Sequence, residues 1–293
     1  MYFLNVQVRR GPDRRVVLGL HRSRHERRLL TGALDLGVTA LDTSTNYLDF
    51  RSHQVLARTA GDLLPKFTVS TKVGYFQEPD GAEHSLDPTR LYSAVEEAAK
   101  NLGREPDMVF LHNPEDSLRK AVPHHKDLLA AACTALDDAK AKGLCGAWGV
   151  ASWDPSPVLS VVDLTVPRPS VLMVRAGLLV GARTLAAADN LINAWNLGCG
   201  DVWGMSPFGG STSASVWDRL DPRLFLRDDR RLSRVQAAFR VAYHLPRVGS
   251  IAVGTDEPTH LGELVGALAG QVEERTVQEY RKLLRDRSRD HSA

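Results

Sequence analysis

Cysteine is scarce and unpaired in this sequence. Cys133, Cys145 and Cys199 are its three cysteines, they stand far apart, and none belongs to a CxxC pair. An odd, scattered set argues against a disulfide framework and reads as reduced thiols buried as small hydrophobes. Net charge is also small: 37 Lys and Arg against 35 Asp and Glu leave a formal +2. That balance gives no global attraction to nucleic acid or to an anionic membrane. No run is long and apolar enough to span a bilayer, and Met1 to Arg10 lacks the apolar stretch of a secretory signal, so a cytoplasmic protein is expected. The ten histidines are scattered, and the pair His124–His125 reads as a solvated helix start, since zinc needs further convergent ligands. The basic stretches Arg22 to Arg28 and Arg281 to Arg289 read as solvated helix faces.

What the sequence does have is a repeated couplet: a short apolar run, then an amphipathic stretch. Strand-like runs occupy 16–20, 38–42, 66–71, 108–112, 146–150, 171–174, 201–205 and 250–253. Helical patterns follow them at 24–35, 52–60, 88–102, 126–142, 156–162, 185–196, 232–244 and 258–268, with a last helix at about 272–286. Asp87 stands where an N-cap belongs, and Gly103 just past the same helix's end. Eight alternating units call for a parallel sheet with helical crossovers, and a chain of 293 residues favours closure. The expected fold is therefore α/β, a (β/α)8 TIM barrel forming a single domain over residues 1–286, with a polar tail at 287–293. The competing open, doubly wound sheet wants a glycine-rich turn after its first strand, and here that strand is followed by His21-Arg22-Ser23-Arg24.

In such a barrel, reactive groups sit at the C-terminal ends of the strands. Three adjacent strand ends carry ionisable residues: Ala40-Leu41-Asp42 (with Tyr47 in the loop that follows), Ser70-Thr71-Lys72, and Phe110-Leu111-His112. Each has an ordinary reading alone, as a helix cap, a packed loop aromatic, a lysine reaching solvent or a hydrogen-bonded core histidine. Together they make an acid set. An ammonium beside a phenol favours the phenolate, a carboxylate keeps the ammonium charged, and an imidazole can donate to a carbonyl oxygen.

The run Gly37 to Tyr47 followed by Arg51-Ser52 resembles the signature of the aldo-keto reductases, GxxxxDTAxxYG and then Ser-Glu. Ser70-Thr71-Lys72-Val73-Gly74 is similar to the family's lysine strand, and Phe110 to Glu115 to its histidine strand. Ser250 to Thr255 with Pro258 to Leu261 is similar to its adenosine-phosphate segment. The order and spacing match over nearly the whole chain, closest in feel to bacterial sugar and pyridoxal dehydrogenase-like branches. The resemblance implies Tyr47 as general acid or base, Lys72 lowering its pKa and paired with Asp42, and His112 orienting a carbonyl. It also implies a hydride exchanged with NADP(H), or with NAD(H), and no metal.

The cofactor shelf departs from that pattern. Where the family has Gly-Val-Ser-Asn, this chain has Gly149-Val150-Ala151-Ser152-Trp153; Met173 stands for a glutamine, Met205 for a stacking aromatic, and Glu263-Leu264 for Glu-Asn. The resemblance still assigns the cofactor to Ser152, Met173, Met205, Ser206, Phe208, Gly210, Gly254, Thr255, His260 and Glu263, and the substrate to Tyr75 and Trp153; where the shelf departs, Trp153, Trp203 and the Gly209-Gly210-Ser211 loop are the other candidates to hold the nicotinamide. The stretches 77–85 and 209–230 are expected as pocket walls or as plain surface loops. Three functions stay open: a hydride-transferring oxidoreductase on a small polar carbonyl, alcohol or sugar; a cofactor-free lyase, dehydratase, isomerase or cyclase using Tyr47 and Lys72; and a binding or regulatory subunit. A small molecule is the expected partner, with no nucleic acid and no membrane, and the oligomeric state is left open.

Overall fold

The repeated couplet closes on itself. A computed structural model describes residues 14–121, 123–227 and 231–290. Its strands are β1 (Arg15–Gly19), β2 (Ala40–Asp42), β3 (Thr68–Val73), β4 (Tyr75–Glu78), β5 (Gly81–His84), β6 (Met108–His112), β7 (Ala147–Ser152), β8 (Val171–Arg175), β9 (Val202–Met205) and β10 (Ser250–Val253). Eight of them form a closed parallel barrel in the order β1-β10-β9-β8-β7-β6-β3-β2, while β4 and β5 make a separate antiparallel hairpin. The helices are α1 (Arg27–Asp35), α2 (Ser52–Ala60), α3 (Pro88–Leu102), α4 (Glu115–Leu118), α5 (His125–Ala141), α6 (Ser156–Ser160), α7 (Ala182–Ala194), α8 (Val216–Arg219), α9 (Arg234–Ala242), α10 (Pro258–Ala267) and α11 (Glu274–Asp290). Among the described residues no helix is long and apolar enough to cross a membrane.

Side chains of a strand alternate between its two faces, so each strand serves two cores. Outward residues such as Leu18, Leu41, Val69, Val109, Val150 and Leu172 pack with Leu29, Leu91, Val95 and Leu136 of the helices. Inward residues fill the barrel: Val17, Met108, Phe110, Ala151, Val171, Met173 and Ala252. Glycine makes room for the largest of these. A Cβ on Gly149 would stand 2.8 Å from Phe110 Cε1 and 2.4 Å from the Val171 carbonyl oxygen. A third cluster, with Trp217, Phe225 and Val241, seats the segment that follows β9 against α9 and α11.

Local signals account for the ends of the helices. The Asp87 carboxylate accepts from the Arg90 N–H at 2.9 Å, Pro88 opens α3, and Gly103 closes it at φ +71°. Several features differ from the sequence reading: the helix expected at 24–35 begins only at Arg27, the strand expected at 66–71 lies at Thr68–Val73, and the short α4 has no counterpart among the expected helices. The stretch 77–85 belongs to the β4–β5 hairpin, and 209–230 contains α8 and the 3-10 turn Pro222–Phe225, with 228–230 outside the described residues. The last helix runs to Asp290, beyond the expected end at 286, and residues 291–293 lie outside the described residues. Cys133 and Cys145 are buried as expected, but Cys199 is only half-buried, because it opens the short 3-10 turn before β9.

Candidate active site

Strand register brings the three charged strand ends together. Asp42 lies beside Ser70, Lys72 beside Phe110, and His112 beside Ala151. Each step to the next strand climbs two residues, so Asp42, Lys72 and His112 share the inward face at one end of the barrel. Tyr47 joins them from the loop after β2. That loop turns through three consecutive residues in the left-handed region, Leu48 (φ +50°), Asp49 (+52°) and Phe50 (+63°).

The side chains form a buried chain. Lys72 Nζ donates to Asp42 Oδ2 at 2.5 Å, to the Thr43 carbonyl oxygen at 2.9 Å and to the Tyr47 hydroxyl oxygen at 3.2 Å. Ser70 Oγ donates to the second oxygen of Asp42 at 2.8 Å. The Lys72 side chain is 3% exposed and that of Asp42 6%. At such depth an ion pair persists only with its remaining hydrogen bonds met, as they are here. Burial works to lower the Lys72 pKa, but Asp42 and Tyr47 more than reverse it, so the ammonium stays charged. Tyr47 goes against the sequence expectation. Burial raises its pKa, and the pull of Lys72 does not overcome burial and the Asp42 charge together. The phenol is held protonated.

A supporting layer lies beneath. Thr43 Oγ1 and Ser52 Oγ are 2.6 Å apart, His25 Nε2 reaches the same Ser52 hydroxyl at 2.7 Å, and His53 Nε2 bonds Thr71 Oγ1 at 2.7 Å. Burial depresses the His53 pKa to about 4, helped by His25 and Lys72. His112 lies well below the usual histidine range, first through burial and then through Lys72, so its ring is neutral. Its Nδ1 stands 3.2 Å from Ser44 Oγ, and its carbonyl oxygen accepts from His84 Nε2 at 2.7 Å.

Over this set opens a cavity of about 700 Å³. It is lined by the expected Asp42, Tyr47, Lys72, His112, Tyr75, Trp153, Met173, Met205, Ser206, Phe208, Gly210, Gly254 and Thr255. Three expected cofactor contacts are not on its walls. His260 and Glu263 point to solvent from α10. Ser152 is fully buried and donates to Glu115 Oε2 at 2.9 Å. Alternation on β7 is the reason: Ala151, paired with His112, faces inward, so Ser152 faces out. Trp203 also misses the cavity. It packs inside the barrel on Phe110, with ring centroids 5.5 Å apart, and reaches a second cavity at the opposite end.

The sequence reading missed several lining residues. His21 meets the Tyr47 ring edge-on at 4.8 Å between centroids, and Arg22, Asn46 and Asn113 also line the cavity. The first two stand directly after β1, a position that marks them as mouth residues. Tyr75 is fixed by the turn of Asn113 (φ +49°): its hydroxyl donates to Asp116 Oδ2 at 2.5 Å and accepts from Asn113 Nδ2 at 3.2 Å. Among the described residues no group of three or more His, Cys, Asp or Glu could hold a metal ion.

The profile of the Aldo/keto reductase family matches residues 21–212. No curated protein matches the chain. Among solved structures, the holo form of an aldo-keto reductase from Bacillus halodurans is similar at 18% identity and a TM-score of 0.72, over 92% of this chain and 91% of that one. A glycerol dehydrogenase from Gluconobacter oxydans is similar at 17% identity and 0.67, over 92% and 90%. An aldo-keto reductase from Klebsiella pneumoniae in complex with NADPH is similar at 16% identity and 0.65, again over 92% and 90%. At these identities the likeness speaks for the fold, and the profile match, spanning most of the chain and the strands that carry Asp42, Lys72 and His112, speaks for descent: the chain belongs to the aldo/keto reductase family.

Proposed function

We propose that the protein is a nicotinamide-dependent oxidoreductase that reduces a small polar carbonyl compound, with Tyr47 as the proton donor. The observation that carries this reading is the buried Asp42–Lys72–Tyr47 chain opening, beside His112, onto one cavity. Because the Lys72 ammonium donates to the Tyr47 oxygen, the phenolic hydrogen is left to point elsewhere, toward a carbonyl oxygen in the cavity. Burial keeps that hydrogen in place at neutral pH, which suits reduction. Alcohol oxidation needs the phenolate and is accordingly favoured only at alkaline pH.

His112 serves the same oxygen if its Nε2 carries the hydrogen. Its Nδ1 must then accept, and the hydroxyl of Ser44 is the donor within reach. In the structure the Ser44 hydroxyl donates to Asn46 Oδ1 at 2.7 Å, but the two ends of that amide have nearly the same shape, and turning it frees the hydroxyl hydrogen for His112. With the NH2 end turned to Ser44, the sequence Asn46 to Ser44 to His112 is satisfied throughout and fixes the tautomer.

The rest of the cavity fits a nicotinamide cofactor, which when bound supplies the hydride. Met173 and Met205 offer an apolar, polarisable floor beside Tyr47. Gly210 (φ +109°) has open space where a Cβ would stand, and one on Gly254 would meet only the Gly19 carbonyl oxygen at 3.4 Å, so backbone and cofactor can approach closely. Arg22 lines the cavity as an exposed cation suited to phosphate oxygens. NADP(H) is the cofactor proposed, and Tyr75 and Trp153 the substrate walls.

One observation favours a second reading, acid–base chemistry without hydride transfer: Ala151, Met173 and Met205 offer a carboxamide no side-chain hydrogen bond, and Ser152 is taken by Glu115. Titrating the protein with NADPH and NADH, followed by tryptophan fluorescence, separates the two. Saturable quenching by either is the expected result; none at millimolar concentration ends the redox reading.

A further inference from the structure

Glu115 is a buried carboxylate that the chemistry above does not use. It opens α4, a helix of only four residues, and is 1% exposed. Its partners all come from one place, the turn after β7. Oε1 accepts from the backbone N–H of Trp153 at 2.6 Å and of Asp154 at 2.9 Å, and Oε2 accepts from Ser152 Oγ. Three consecutive residues thus converge on a single side chain. The middle one, Trp153, is 46% exposed and stands on the cavity wall.

The rest of that turn is tied as well. Asp154 Oδ2 accepts from Arg119 at 2.6 Å, and the Arg175 guanidinium stands 5.0 Å from the centre of the Trp153 ring. An exposed tryptophan on a loop normally samples several orientations. Here its backbone is pinned from below by Glu115, and its ring has a cation beside it.

We propose that Glu115 is a positioning residue for substrate: it fixes the Trp153 turn so that the indole forms a rigid wall facing Tyr47 and His112. The inference rests on the reading of this cavity as the substrate site. Its requirement is for acceptors, not for charge. Two N–H groups meet Oε1, which a glutamine carbonyl reproduces, and the glutamine NH2 can donate to Ser152 Oγ in place of the present bond. Glu115→Gln therefore retains the clamp, whereas Glu115→Ala strands two N–H groups and releases the turn. Burial raises the Glu115 pKa while its donors pull it back, which agrees with a group held for its acceptors.

The test uses the full chain labelled with 5-fluorotryptophan, whose five tryptophans give five fluorine resonances. That of Trp153 is identified by its loss in Trp153→Phe. The same variants are assayed with NADPH and 4-nitrobenzaldehyde as the carbonyl probe. In Glu115→Ala the Trp153 resonance should shift or broaden while the other four stay in place, and KM should rise about tenfold with kcat changed less than about twofold. Glu115→Gln should keep the wild-type resonance and KM. If the alanine variant does not fold, Glu115→Asp, too short to reach all its donors, should show the same split. An unmoved Trp153 resonance with unchanged KM overturns the proposal, as does a glutamine variant impaired like alanine, or a shift of all five resonances together. Should the wild type bind neither NADPH nor NADH, the redox reading is lost, while the fluorine spectra still show whether Glu115 holds the Trp153 turn.

Discussion

At the scale of single residues, the site depends on a balance between burial and charge. Lys72 lies close enough to pull the Tyr47 proton off, yet the burial that positions the phenol also opposes its ionisation. A rate of carbonyl reduction that depends on the protonated phenol should hold through neutral pH and decline only above the ordinary phenol pKa; a pH–rate profile of kcat/KM reads this directly. Tyr47→Phe should lower kcat/KM by about 10³ without loss of fold, which activity together with circular dichroism would establish. Ser44→Ala removes the donor that sets the His112 tautomer and should cost about tenfold in kcat/KM while leaving cofactor affinity unchanged. His53 makes a prediction about stability. Its pKa falls from 6.5 unfolded to about 4 folded, so the unfolded chain binds the extra proton first. The stability held above pH 6.5 should be lost progressively as pH falls to about 4, by roughly 3 kcal/mol. Denaturant titrations of wild type and His53→Gln across that window should differ in slope; parallel slopes would show that His53 titrates alike in both states.

At the scale of elements, caps and turns decide which strand ends carry chemistry. Asp87→Ala should cost about 1 kcal/mol by removing the α3 cap, measured as a lowered denaturation midpoint. The turn after Tyr47 should respond in the opposite sense. The Asp49 side chain is 95% exposed and its backbone sits at φ +52°, so Asp49→Gly should stabilise by a few tenths to about 1 kcal/mol. These elements also separate what the sequence made legible from what it hid. The α3 bounds, the β6 bounds and the three charged strand ends could be read directly, because caps, glycines and short apolar runs are local signals. The β4–β5 hairpin is hard to read although Pro79-Asp80-Gly81 is a turn signal, since its strands carry few apolar residues. The four-residue α4 is too short to show a period. The outward direction of Ser152 is implicit in strand alternation: with Ala151 on the inward face, the next residue must face out. Glu115 as its partner is not legible, because the two stand 37 positions apart and meet only through the parallel pairing of β6 with β7.

At the scale of the whole molecule, a barrel of this size has two cores and little slack in either. The inner one is filled by Phe110 across from Gly149, so Gly149→Ala should destabilise by about 1–3 kcal/mol through overpacking, seen as a lower thermal midpoint. The packing below leaves the reactive end free to be shaped by loops. Asp42, Lys72 and His112 come from three neighbouring strands and Tyr47 from a loop, while the cavity walls proposed to meet substrate come from the β4–β5 hairpin base and the β7 turn. Such a division lets the acid set stay in place while the cofactor shelf and the pocket walls diverge.

The central claim is that Tyr47 hands its proton to a carbonyl while hydride arrives from a bound nicotinamide. A single-turnover experiment tests it most directly: protein preloaded with NADPH is mixed with 4-nitrobenzaldehyde, and loss of reduced-cofactor absorbance is followed for the wild type and for Tyr47→Phe. The account predicts a rapid decay in the wild type and a decay slowed by about 10³ in the variant, with NADPH bound equally well by both. Equal decay in the two proteins, or binding without any decay in the wild type, would contradict it.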